Sequence, residues 1–98
     1  MKKIISTPKA PSAIGPYNQA TAFDKLIFTS GQIALDPTTM EIVSGGVQEQ
    51  TKQVMENLKA VLEEAGSSFE NVLKTTCYLS DMDNFVAFNE IYGQYFKG

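Results

Sequence analysis

Between residues 47 and 66 the spacing of apolar side chains leaves this sequence little freedom. Val47, Val54, Met55, Leu58, Val61, Leu62 and Ala65 recur at steps of three and four, and Gly66 follows. That period predicts an amphipathic helix of about five turns, with Gly66 as its left-handed C-terminal stop. Glu49, Lys52, Glu56, Lys59 and Glu63 fall on its other faces as a solvated charge pattern. A helix with one apolar stripe must bury it against something, so the rest of the chain has to supply a second layer.

The flanking segments predict that layer. Ile4-Ile5 starts a short strand, and Leu26-Ile27-Phe28-Thr29-Ser30, closed by Gly31, is a β-branched and aromatic run. Pro8 to Pro16 is loop chemistry, with an extended run expected through Tyr17. Asp36-Pro37 opens a turn, and Ser44-Gly45-Gly46 ends the loop region before the helix. Val72 to Ser80 alternates with a period of two and predicts a strand, parallel to 26–30 through a right-handed crossover. Asp81 or Asp83 would cap a second helix carrying an aromatic stripe of Phe85, Phe88, Tyr92, Tyr95 and Phe96, closed by Gly98. The expected order is strand, strand, helix, strand, helix, an α+β chain. Three short strands make a narrow sheet for two helices, so either strands are missing or a partner supplies them.

A chain of 98 residues makes a single domain over 1–98. Folded, it should expose roughly 5,500 Å². No apolar run reaches membrane length and the N-terminus is too short for a signal peptide, so the expected compartment is the cytoplasm. The single Cys77 excludes an internal disulfide framework, and a buried, inert thiol is expected. His is absent and all eight basic residues are lysine. That removes Ser-His-Asp and Cys-His catalysis, His-ligated metal and the planar guanidinium fork for carboxylates. Scattered lysines under a formal charge of -3 argue against nucleic acid as the main partner.

Few residues then remain to carry chemistry. Asn89 falls at one edge of the aromatic stripe, within about 60° of Phe85, Tyr92 and Phe96. It is either a structural amide with its bonds satisfied or an amide facing a pocket. Ser30-Gly31 closes a buried strand, where a missing Cβ lets a ligand approach the backbone; most such pairs are only turns. Tyr17 is an aromatic with a polar tip, more often packed than functional. Glu63-Glu64 and Asp81-Met82-Asp83 fit a helix face and a cap better than an acid/base pair. Catalytic residues are not assigned by these patterns.

Several strings resemble the RidA/YjgF family of reactive-intermediate deaminases, formerly described as translation inhibitors and endoribonucleases. They are Ala13-Ile14-Gly15-Pro16-Tyr17, Thr29-Ser30-Gly31-Gln32-Ile33, Gln50-Thr51-Lys52-Gln53-Val54, Asn57-Leu58-Lys59-Ala60-Val61-Leu62, Lys74-Thr75-Thr76-Cys77 and Phe88-Asn89-Glu90-Ile91-Tyr92, in that order along the chain. The resemblance implies a chorismate-mutase-like α+β fold, a mixed sheet packed against two helices, assembling as a homotrimer with pockets between subunits. It implies hydrolysis of enamines and imines such as 2-aminoacrylate and 2-iminobutanoate to 2-oxo acids and ammonia, with no metal or organic cofactor. The substrate-binding positions it implies are Tyr17 as pocket wall and Ser30, Gly31 and Asn89 as hydrogen-bonding groups. Family members continue past the second helix with a carboxylate-gripping Arg, a Glu that positions water and two more strands, whereas this sequence stops at Phe96-Lys97-Gly98. The expectation is a C-terminally incomplete copy with very weak or absent turnover. A non-catalytic small-molecule-binding or interaction module is the alternative, and RNA cleavage stands below both.

Overall fold

The computed structural model describes residues 2–14, 18–23, 26–72, 77, 79 and 82–96. Three strands come first: β1 (Lys2–Ile5), β2 (Ala20–Phe23) and β3 (Leu26–Thr29). They form an antiparallel sheet in the order β1-β2-β3, with Ile5 opposite Ala20 and Ala20 opposite Thr29. β2 is absent from the sequence expectation. In its Ala-Thr-Ala-Phe run Thr and Phe favour a strand, but the two alanines do not and four residues give too short a period to read. What makes it a strand is backbone pairing on both sides, since β1 and β3 each bond to it.

The period-two alternation divides the sheet into unlike faces. Ile5 and Ala20 are buried with Ala10 and Val61, and Ala22, Ile27, Ala60 and Ala65 pack around them. That face lies on helix α1 (Val47–Glu64). The opposite face carries Ile4, Phe23, Leu26 and Phe28, all more than half exposed.

α1 starts and stops where the sequence directs. The Glu49 carboxylate accepts the Gly46 N–H at 3.0 Å, serving one of the orphan donors of the first turn. At the other end Gly66 takes φ +79, the Ser67 N–H donates to the Leu62 carbonyl at 2.8 Å and the Gly66 N–H to that of Glu63 at 3.0 Å. This is the double closure of a Schellman motif. Helix α2 (Phe85–Tyr92) packs on α1. Gln48 donates to the Glu90 carboxylate at 3.1 Å, and the Tyr95 hydroxyl donates to that of Glu56 at 2.7 Å. Phe69 sets its ring edgewise against Tyr95 and Phe96, with centroids 5.5 and 5.1 Å away.

Four expectations are revised or fall outside the description. α2 is shorter than expected: Asn84 is its N-cap residue, Asp83 lies in the 3-10 turn Met82–Asn84, and the helix ends with Gly93 as its C-cap. The i to i-4 ladder runs on to the Gly93 N–H, which donates to the Asn89 carbonyl at 2.9 Å, and stops there; the Gln94 and Tyr95 N–H groups turn back to Ile91 and Tyr92. Asp81 and Gly98 lie outside the described residues. Most of the strand expected over 72–80, and with it the parallel crossover, also lies outside them; Val72, Cys77 and Leu79, which are described, are in no strand. Cys77 is exposed, not buried: it belongs to no described strand or helix, and none covers its thiol.

Candidate functional site

The C-terminal end of β3 is held by backbone groups from the far end of a loop. The Ser30 N–H donates to the Gln19 carbonyl at 3.0 Å, and the Ser30 hydroxyl donates to the Asn18 carbonyl. With its one proton spent there, the Ser30 oxygen faces any ligand as an acceptor. Gly31 follows, exposed, and nothing stands within 4 Å of the position a Cβ would take. A ligand can therefore reach the backbone there. A cavity of about 210 Å³ opens beside Ser30 between Asn18, Thr21 and Phe28, on the margin of the exposed apolar sheet face.

A second cavity, about 330 Å³, lies on the other side of Asn18 and is lined by Ile5, Thr7, Ser12 and Gln19 among others. Gln19 is 4% exposed, and both ends of its amide are engaged. Its oxygen accepts the Thr7 N–H, while its nitrogen donates to the carbonyls of Thr7 (3.0 Å), Ala10 (3.2 Å) and Pro11 (2.8 Å). Among the described residues, no side chain lining either cavity is titratable. The described surface around Ser30 thus offers hydroxyl, amide and backbone groups.

Asn89 lies on α2 and is exposed. It belongs to the helical layer, whereas Ser30 and Gly31 belong to the sheet, and no hydrogen bond joins them among the described residues. Tyr17 lies outside the described residues. The buried amides are others: Asn57, 1% exposed, donates to the Ile33 and Leu35 carbonyls at 3.2 and 2.9 Å and accepts from Gln53 at 2.8 Å. Among the described residues no group of three or more His, Cys, Asp or Glu could hold a metal ion. No helix among them is long and apolar enough to cross a membrane.

Comparison with known proteins places this arrangement in a known setting. The family model described as Endoribonuclease L-PSP matches residues 7–98. A RutC family protein of Synechocystis is 60% identical over 95 residues, covering 96% of this chain and 73% of that protein. The 2-iminobutanoate/2-iminopropanoate deaminase of Mus musculus is 52% identical over 98 residues, covering 100% of this chain and 73% of its own. The crystal structure of E. coli TdcF with bound serine superposes with a TM-score of 0.91 at 43% identity, covering 95% of this chain and 72% of that one.

Proposed function

Because the chain belongs to the Endoribonuclease L-PSP family, which includes the RidA/YjgF proteins, we propose that it hydrolyses 2-iminobutanoate, 2-iminopropanoate and their enamine tautomers to 2-oxo acids and ammonia. The observation that carries this reading is the 52% identity, over the whole chain, to a deaminase of that name. The cavity beside Ser30, with its described lining of hydroxyl, amide and backbone groups, supports it, since a small imine needs hydrogen-bonding groups and room, not a nucleophile.

The chemistry is addition and collapse. Water oxygen bonds to the imine carbon and one of its protons passes to nitrogen, giving a carbinolamine. The remaining hydroxyl proton then moves to nitrogen, the C–N bond breaks, and ammonia leaves a 2-oxo acid. The Ser30 oxygen, its proton committed to Asn18, accepts a hydrogen bond from the imine N–H or from the water. Gly31 leaves the backbone open to the substrate; the family resemblance assigns the pocket wall to Tyr17. Asn89 stands on the helical layer, so the reading places it in the pocket of a neighbouring copy in a homotrimer. The exposed sheet face of Ile4, Phe23, Leu26 and Phe28 supports such an assembly. The expected compartment is the cytoplasm, where enzymes that release imines from serine and threonine act. A carboxylate-binding Arg is not among these 98 residues, and the match leaves about a quarter of the relatives' length outside it.

The test is release of 2-oxobutanoate and ammonia from 2-iminobutanoate generated in place from L-threonine by a dehydratase. The intact mass of the assayed protein is determined alongside. A rate above the buffer control that falls at least ~10-fold in Ser30→Ala supports the reading. A rate equal to the buffer control, with the mass at 10.8 kDa, overturns it for this chain.

A further inference from the structure

We infer that Gln19 is a positioning residue, which fixes the proline loop and the end of β3 in one register and so sets where Ser30 stands. One dipeptide makes both connections. On one side the Gln19 side chain bonds the backbone of Thr7, Ala10 and Pro11; on the other, the carbonyls of Asn18 and Gln19 take both donors of Ser30. The three loop residues it holds are buried, whereas Ser12, Ala13 and Ile14 just beyond are exposed. Apart from the Lys9 N–H, which donates to the Thr7 hydroxyl at 3.2 Å, the described hydrogen bonds of Thr7 to Pro11 run to Gln19. An amide of this length accepts one backbone N–H and donates to carbonyls from a single position, its two N–H protons shared among the three carbonyls. A carboxylate would turn the three donor contacts into repulsions, and a thioether would make none. Gln19 does not touch the substrate in this account; its effect on turnover rests on the proposed deaminase reading.

The experiment compares Gln19→Met and Gln19→Glu with the unaltered chain by site-resolved amide hydrogen exchange. Gln19→Met should accelerate exchange at Thr7 and Ser30 at least ~10-fold, with Met55 to Leu62 in α1 nearly unchanged. In Gln19→Glu the same amides should lose protection at pH 8 and regain it toward pH 5, after correction for intrinsic rates. There the protonated carboxyl again donates one bond and accepts another. Asn57→Ala, which damages the α1 contact with Ile33 and Leu35, serves as a control that leaves Thr7 and Ser30 protected relative to α1. Equal acceleration across α1 and the loop in Gln19→Met, or no pH-dependent recovery in Gln19→Glu, overturns the inference. Turnover is read separately. If the unaltered chain hydrolyses the imine, kcat of Gln19→Glu should follow the same recovery with pH, and a kcat and KM unchanged in Gln19→Met overturns the positioning role. If the unaltered chain does not hydrolyse the imine, the deaminase reading falls, and the exchange pattern alone decides the register claim.

Discussion

A phenol and a carboxylate join the segment after α2 to α1. Burial, and then the hydrogen bond to and the charge of Glu56, push the Tyr95 hydroxyl from its ordinary 10.0 up to about 12. The folded chain therefore holds this proton through a range in which the unfolded chain has released it. Stability from the contact is complete below pH 10 and is lost as pH rises toward 12. Denaturation midpoints of the unaltered chain should fall more steeply across that window than those of Tyr95→Phe, the lysine titrations being common to both. Below pH 10 Tyr95→Phe should cost about 0.5 kcal/mol, because the pair is exposed. At this scale the sequence was only partly legible. Asn89 was conspicuous because its neighbours on the wheel are aromatic, and it is exposed on α2 of the single chain. Asn57 and Gln19 are the amides that are buried, and nothing in spacing marks them. Their partners are backbone carbonyls 22 to 24 and 8 to 12 residues away, a relation only the folded chain defines.

Elements were legible in proportion to how much of their cause is local. α1 has a long period, a Gly after its end and an acidic first turn, and each agrees with the others. β2 has no such signal, since its cause is pairing with β1 and β3. The two glycines bracketing α1 test this account. At Gly66 a Cβ would meet nothing within 4 Å, so Gly66→Ala bears only the left-handed backbone cost, about 1 kcal/mol. At Gly45, φ is +110 and a Cβ would come within 2.7 Å of the Glu49 side chain. Gly45→Ala should therefore displace the carboxylate that accepts the Gly46 N–H and cost about 1 kcal/mol more, for about 2 in all. Urea melts of the two variants check the order; equal losses would mean that Glu49 is not holding the helix start.

The molecule is a slab of 42 × 34 × 18 Å, thin enough for two layers and little interior. Its surface is 7052 Å², roughly 1,500 Å² above the scaling expected for this length. A standard interface removes about 800 Å² from each partner, so the excess is close to what two neighbours in a ring would cover. The proposed trimer therefore predicts a sedimentation mass near three chains. Phe28→Asp, which puts a carboxylate amid the exposed sheet face, should shift the mass toward one chain while leaving the α1 signal in circular dichroism intact. A single-chain mass for the unaltered protein would sink this prediction. The α+β class was legible, because one amphipathic helix demands an opposing layer. The antiparallel pairing of β1, β2 and β3 was not, since it runs through β2, a strand the sequence hides.

The way β1 reaches the sheet also orders how the structure assembles. β2 and β3 are two residues apart and α1 is a local helix, so each can form from short-range encounters. β1 pairs with β2 only after residues 6–19 have looped back, a closure that costs more entropy than the hairpin turn. Gln19 bonds the loop backbone inside that closure, so its bonds form together with the pairing and not before it. Loop length alone therefore predicts that β1 pairs with β2 after β2 has paired with β3. During synthesis β1 leaves the ribosome well before its partner, and it has to wait, unpaired, for residues 20–23.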